Sequence, residues 1–273
     1  MTPAFRLIVF DIDGTLENSR HEISTYTRNV ILRAHAAGLM VSLATGKTLP
    51  AVQPLAQQLG LSLPMVMANG SILQYPHGRI LHASFFPKQT VESVLELASG
   101  LEVDISVFTP ESVYIQHLTP SVQAMMEFGA PTPREIQDWA EMKADLDRVV
   151  KFVIMNMDGP PALKPLMNAL DDHLDGKVSH FPTQAYMHEV LPPGEDKGSG
   201  VHRLADALDI LPDQIIAFGD GDNDAVMLKL VGVGAAVANA TRLCKASADV
   251  LVASNDQDGP ARFLDGFLRS RLQ

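Results

Sequence analysis

Four short clusters in this sequence hold the side chains best suited to chemistry, and three of them directly follow an apolar run. The first is Asp11-Ile12-Asp13-Gly14-Thr15-Leu16, after LIVF (7–10). Two carboxylates one residue apart at a strand end stand where open α/β sheets place ligands. Carboxylate oxygens suit a hard cation such as Mg²⁺, and a carboxylate beside such a cation can attack phosphorus. Gly14 lets the backbone turn away at once, and Thr15 adds a hydroxyl. The same pattern also fits a pair of solvated aspartates in a turn before a helix. The second cluster, Thr45-Gly46-Lys47, ends LMVSLAT (39–45). It offers a hydroxyl and free N–H groups as a cradle for phosphate oxygens, or simply an N-cap threonine. The third, Lys197-Gly198, follows LPPGED and opens a helix. It could neutralise a nucleophile or a phosphate, or be a solvated surface lysine. The fourth is Phe218-Gly219-Asp220-Gly221-Asp222-Asn223-Asp224, after IIAF. Its carboxylates crowd one place, which is costly unless they share a divalent cation. A calcium-type or turn-forming loop is the alternative, although no Glu stands at the distance an EF-hand requires.

The elements that must position these clusters follow a regular rhythm. Apolar runs at 7–10, 39–45 and 64–68 alternate with helical spacing through Ile23, Tyr26, Thr27, Val30, Ile31 and Ala34, and again over 51–59, with Pro50 and Pro54 read as first-turn prolines. The rhythm resumes late, with strands at 215–218, 233–237 and 249–253 and helices at 198–208, 225–230, 240–247 and 259–270. Strands apolar throughout and separated by helices predict a doubly wound parallel sheet covered on both faces. The middle reads differently. Helices at 88–99, 120–128, 134–146 and 161–174 mix with strands at 112–118, 149–155, 177–181 and 185–190, an α+β pattern. The expected organisation is one α/β core, residues 1–83 and 189–273, interrupted by an inserted α+β unit, 84–188. All four clusters then meet strand ends of one sheet.

Composition narrows the function. The chain has 273 residues, 46% hydrophobic and 19% charged, with 21 basic against 32 acidic residues and a formal net charge of -11. That excess disfavours a dedicated nucleic-acid binder, which needs clustered Lys and Arg. It leaves room for a small phosphorylated ligand held by local donors or a metal. A single cysteine, Cys244, excludes a disulfide framework and a four-thiolate zinc site. No apolar run is long enough to span a membrane, and MTPAFRLIVFDIDGTL lacks a signal-peptide pattern, so a reducing cytoplasm is the expected compartment. Nine histidines are scattered without metal-ligand spacing. His21, His35 and His202 are expected at the surface or partly packed. Met125, Met126 and Phe128 read as core of the inserted unit, and Glu141–Lys143 with Asp145–Asp147 as a solvated helix face.

DIDGTL, LATGK, DKG and GDGDND, in that order, resemble the four motifs of the haloacid dehalogenase-like phosphohydrolases. ANGSIL (68–73) and NATRLCKASADVLVASNDQDG (239–259) are similar to the Cof-type sugar-phosphatase branch, whose type IIB cap would correspond to the insertion. The resemblance implies that Asp11 is the nucleophile and forms an aspartyl-phosphate, while Asp13 protonates the leaving alcohol and later activates water. It implies that Thr45, Gly46 and Asn223 contact phosphate and that Lys197 offsets the charge of Asp11. Mg²⁺ would be held by Asp11, Asp220 and the Asp13 carbonyl, and Asp224 would orient Lys197 or a metal-bound water. Asp222 falls at a variable position. Lys47 stands where an arginine is common, keeping the charge without the planar fork. Gly259-Pro260 replaces a more usual Gly-Val, and Pro suits a first helical turn. Tyr186, Met187, His188 and Glu189 are specificity candidates, or plain strand packing. The implied activity is Mg²⁺-dependent hydrolysis of small phosphorylated metabolites, sugar phosphates or phosphorylated cofactors, by a monomer or small homo-oligomer without nucleic-acid or membrane partners. A phosphosugar mutase on the same scaffold and a regulatory phospho-acceptor domain are the alternatives.

Overall fold

The computed structural model describes residues 5–127 and 129–271, so Phe128 lies outside the described residues. The chain opens with β1 (Leu7–Phe10), α1 (Thr25–Ala36), β2 (Met40–Leu43) and α2 (Leu49–Gln58). Ser24 caps α1 by accepting from the Thr27 N–H. In α2 Pro50 lies in the first turn, but Pro54 lies inside the helix, beyond that turn. Next come β3 (Met65–Met67), β4 (Ile72–Gln74) and β5 (Ile80–Ala83). The predicted strand at 64–68 forms, yet it joins a three-stranded antiparallel sheet β3-β4-β5 and touches the end of β2 through a single parallel bridge, Ala44 to Val66. The cause is local. Asn69 at φ 52° and Gly70 at φ 107° reverse the chain immediately after β3.

The middle of the chain contains α3 (Lys88–Ala98), β6 (Asp104–Phe108), β7 (Val113–Ile115), α4 (Pro120–Glu127), β8 (Arg134–Glu135), β9 (Lys151–Met155), α5 (Pro160–Leu174), β10 (Ser179–Gln184) and β11 (Met187–Leu191). Its strands form one sheet, ordered β10-β11-β9-β6-β7-β8. The helix expected over 134–146 does not form. Arg134–Glu135 pairs with β7, and only two short 3₁₀ turns follow, at Trp139–Met142 and Leu146–Arg148. Asp138 and Glu141 close a capping box over a single turn. Asp145, expected on a solvated helix face, instead accepts a hydrogen bond from the Tyr114 hydroxyl. Strand β11 runs through the expected junction at 188/189, and the sheet ends at Leu191.

The remaining elements are α6 (Lys197–Ala207), β12 (Ile215–Gly219), α7 (Ala225–Leu230), β13 (Val233–Val237), α8 (Arg242–Ser247), β14 (Val250–Val252) and α9 (Gly259–Arg271). The five-stranded sheet β14-β13-β12-β1-β2 is parallel throughout, with β1 paired to β2 and β12. One face, with Ile8, Phe10, Val41 and Leu43, packs on α1, α2 and α9. The other, with Leu7, Val9, Ile215 and Ala217, packs on α6, α7 and α8. Burial on both faces explains why these strands read as unbroken apolar runs. The six-stranded sheet is also two-faced. Val107, Phe152, Ile154 and Val190 bury against α3 and α5. Phe108, Val153, Met155 and Met187 face the other way and join the apolar cluster of the parallel sheet. No helix among the described residues is long and apolar enough to cross a membrane.

Candidate active site

The carboxyl ends of β1 and β12 lie side by side, which brings the first and fourth clusters together. The Asp11 N–H donates to the Phe218 carbonyl at 3.0 Å, fixing the backbone where β1 ends. Beyond it the chain makes one wide turn, Ile12–Leu16, in which Gly14 adopts φ 72°. Any Cβ at Gly14 would stand 2.5 Å from Asp220 Oδ2, so both the backbone angle and the close approach require glycine. The Thr15 hydroxyl donates to Asp220 Oδ1 at 2.8 Å. Asn239 Nδ2 donates to the Gly14 carbonyl at 2.7 Å and Asn255 Nδ2 to that of Glu17 at 2.9 Å, so the 239–259 stretch braces this loop.

Lys197 opens α6, which Asp196 caps by accepting from the Ser199 N–H. Its ammonium donates to Asp11 Oδ1 and to Asp224 Oδ1, both at 2.6 Å, and all three side chains are buried. Burial alone would lower the Lys197 pKa, but the two carboxylates outweigh it and hold the amine above its usual range. The carboxylates carry the opposite strain. Burial, then the charges of Asp11 and Asp224, push Asp220 up to about 8. Burial and Asp11 push Asp224 up to about 6, against the pull of Lys197. Asp224 also accepts from the N–H groups of Asp220 (3.0 Å) and Gly221 (2.9 Å), which anchors it.

Oxygens of Asp11, Asp220 and Asp224 all lie within 4.8 Å of one another. Three converging carboxylates with one ammonium leave an excess of negative charge, and an all-oxygen donor set is what a hard divalent cation takes. The residues present therefore fit such an ion. Asp222 stands apart, accepting from the Thr241 hydroxyl at 2.5 Å.

The second cluster closes the site from β2. Thr45 is buried, its N–H donates to the Val66 carbonyl at 2.9 Å, and its hydroxyl oxygen accepts from the Lys47 N–H at 3.2 Å. With that lone pair engaged, the hydroxyl proton remains available to donate. Lys47 Nζ reaches Asp13 Oδ1 at 2.7 Å. Asp13, Glu17 and His21 form a second group of side chains on the rim.

These residues line a cavity of about 420 Å³, within the range that holds small metabolites. Its far wall comes from the six-stranded sheet, with Phe108, Lys151, Val153, Met187 and Glu189, and from α4, with Met125. Of the four specificity candidates, Met187 and Glu189 line the cavity, whereas Tyr186 and His188 do not. His188 alternates to the other face of β11 and bonds His180 at 2.8 Å. The structure also adds two residues that spacing alone did not single out, Asn69 and Lys151. Lys151 begins an apolar strand, so a buried polar function was legible only as one charge amid VVKFVIM (149–155).

Comparison with known proteins agrees with this geometry. The sequence pattern of the haloacid dehalogenase-like hydrolases matches residues 8–264. The Arabidopsis thaliana protein named chloroplastic endoribonuclease YBEY is 29% identical over 270 residues, covering 95% of this chain but 46% of that protein, so the chain spans about half of that relative's length. The 5-amino-6-(5-phospho-D-ribitylamino)uracil phosphatase YitU of Bacillus subtilis (strain 168) is 28% identical over 271 residues, covering 94% of this chain and 96% of its own. Among solved structures, a haloacid dehalogenase-like hydrolase from Bacteroides thetaiotaomicron superimposes with a TM-score of 0.87 at 29% identity, over 96% of this chain and 99% of that one.

Proposed function

The chain belongs to the haloacid dehalogenase-like hydrolase family, and on that footing we propose that it is a Mg²⁺-dependent phosphatase that hydrolyses small phosphorylated metabolites through an aspartyl-phosphate on Asp11. The observation that carries this reading is the buried Lys197 ammonium 2.6 Å from Asp11 Oδ1, at the floor of a metabolite-sized cavity with Asp13 on its wall. The relative YitU, named for a phosphorylated ribitylamino-uracil, supports a small phosphorylated substrate. A reducing cytoplasm as the compartment, and residues 84–188 as a cap set into a core of 1–83 and 189–273, are parts of the same proposal.

The residues divide the work as follows. Lys197 holds one oxygen of Asp11, which leaves the other to attack phosphorus. As the new O–P bond forms, the ester P–O bond breaks, and Asp13 gives its proton to the departing oxygen. Asp13 is engaged by Lys47 in this structure, so that pair opens and Asp13 takes up a proton from solvent before the first transfer. In the second displacement Asp13 takes a proton from water, the water oxygen attacks phosphorus, and Asp11 leaves as a carboxylate with inorganic phosphate released. Thr45, the Gly46 backbone and the Asn223 amide bind the phosphoryl oxygens throughout. Asp11, Asp220 and the Asp13 carbonyl would hold the Mg²⁺, with Asp224 orienting Lys197. When bound, the cation supplies positive charge that lets an anionic nucleophile approach an anionic phosphoryl group.

The test is phosphate release across a panel of phosphorylated metabolites, with Mg²⁺ and with chelator. Release that requires Mg²⁺ and is lost in Asp11→Asn is expected. Product appearing as an isomer, and only with a sugar bisphosphate present, would point to the mutase instead.

A further inference from the structure

A buried polar chain crosses from the six-stranded sheet to the phosphate-binding groups. Lys151, on β9, donates to Glu189 Oε2 at 3.1 Å and to the Gly46 carbonyl at 2.9 Å, and lies 4.6 Å from the centre of the Phe108 ring. Glu189, on β11, also accepts from Asn69 Nδ2 at 2.9 Å, through the same oxygen. Asn69 Oδ1 in turn accepts from Asn223 Nδ2 at 3.0 Å. Lys151, Glu189 and Asn69 are 4%, 6% and 1% exposed, so each is held away from water and its bonds are made inside the protein.

The chemistry of this chain gives it a direction. A carboxylate only accepts hydrogen bonds, whereas an amide side chain can turn either end outward. Facing Glu189, Asn69 must present its NH₂ group, so its carbonyl oxygen is turned to Asn223. Asn223 must then present its own NH₂, with one hydrogen on Asn69 and the other free for a ligand in the cavity it lines. Lys151 acts on the neighbouring peptide. Its charge on the Gly46 carbonyl polarises the Gly46–Lys47 peptide, whose N–H bonds the Thr45 oxygen and so leaves the Thr45 proton pointing elsewhere.

We propose that Glu189, paired with Lys151, is a positioning residue that fixes the amide of Asn69 and through it the donor face of Asn223, so that the phosphate-binding groups are set only when β11 is packed against them. This deepens the proposed function and rests on its reading of Asn223 as a phosphate contact. Glutamine at position 189 keeps the size but offers a donor as well as an acceptor, so the amide relay loses its direction.

The experiment measures product inhibition by inorganic phosphate, with Mg²⁺ present, in the full chain and in Glu189→Gln, Asn69→Ala, the double variant and Asn223→Ala. Thermal unfolding establishes that each variant is folded. The expected result is that Glu189→Gln and Asn69→Ala each raise the inhibition constant for phosphate by about tenfold, the size of one hydrogen bond to a charged group, and that the double variant is no worse than either. An unchanged constant in Glu189→Gln, or additive effects in the double variant, would overturn the inference. Should Glu189→Gln not fold, Asn69→Ala carries the same prediction alone, and an unchanged constant there overturns it. Asn223→Ala separates the two levels. If it leaves phosphate inhibition unchanged, the reading of Asn223 fails; if it weakens inhibition while Glu189→Gln does not, only the relay fails.

Discussion

At the level of single residues, Lys197 balances the charge of the site. Its ammonium bonds both Asp11 and Asp224, and removing it would leave buried carboxylates uncompensated. Lys197→Met is expected to abolish turnover and to destabilise the metal-free protein by about 3–5 kcal/mol, read from thermal or denaturant unfolding. Gly14→Ala imposes a Cβ on a φ of 72° and against Asp220. It should lower activity by roughly a hundredfold while costing on the order of 1–3 kcal/mol in stability. The carboxylates make the metal-free protein pH-sensitive in a definite direction. Asp220 and Asp224 hold protons in the folded state up to about 8 and about 6, whereas they would lose them near 3.8 when unfolded. The unfolded state therefore binds fewer protons between those limits, and stability falls as pH rises from about 4 toward 8. A divalent cation held by Asp220 needs that carboxyl ionised, so the rise in melting temperature on adding Mg²⁺ should grow from pH 5 to pH 8. A Mg²⁺ effect that shrank over that range would contradict the assignment of Asp220.

At the level of elements, the parallel sheet and its order of clusters were legible because β1, β2, β12 and β13 are buried on both faces and read as continuous apolar runs. Helices α3 and α5 were legible from the opposite pattern, one buried stripe at helical spacing, Val91, Val94, Leu95 and Ala98 in α3 and Leu163, Leu166, Leu170 and Leu174 in α5. What the residues alone left open were elements set by distant partners. Strand β6 (DISVF) alternates Ile105 and Val107 with Ser106, but its pairing with β9 lies far along the chain. The stretch 134–146 has helical spacing, but β7 claims Arg134–Glu135, and the capping box at Asp138 starts only the short 3₁₀ turn Trp139–Met142. In the site, the four motifs name Asp11, Thr45, Lys197 and Asp220, whereas Glu189 was legible only as a specificity candidate and Asn69 only within ANGSIL, and the bonds that join them to Lys151 depend on the packing of two sheets. The other face of β11 carries His188, beside His180. Burial, then the neighbouring His180, lower His188 to about 4, against the opposing pull of Asp171. Above its ordinary 6.5 this costs nothing, but as pH falls toward 4 the unfolded state binds a proton that the folded state refuses. His188 by itself thus lowers stability over that interval, against the gain that Asp220 and Asp224 contribute, and His188→Gln should raise the melting temperature at pH 4 relative to that at pH 7. An unchanged difference between the two pH values in the variant would show that His188 makes no such contribution.

At the level of the whole molecule, the net charge of -11 is partly the site itself, since Asp11, Asp13, Asp220 and Asp224 converge at one end of the parallel sheet. The six-stranded sheet supplies a far wall to that anionic floor, with Phe108, Val153 and Met187 beside Lys151 and Glu189, and on the proposed reading that wall would recognise the leaving group. Phe108→Ala and Met187→Ala, both on the far wall, should shift KM by roughly tenfold and unequally across a metabolite panel, with little change in kcat for a small generic phosphomonoester. A uniform loss across the panel would remove the wall from the account of selectivity. The most direct measurement is to trap the phosphoenzyme. Rapid acid quench of the Mg²⁺-loaded protein with a radiolabelled acyl phosphate, followed by peptide mapping, should place an acid-stable, hydroxylamine-sensitive label on Asp11, and Asp11→Asn should neither carry the label nor turn over. Label on any other residue, or retained turnover in Asp11→Asn, would contradict the account.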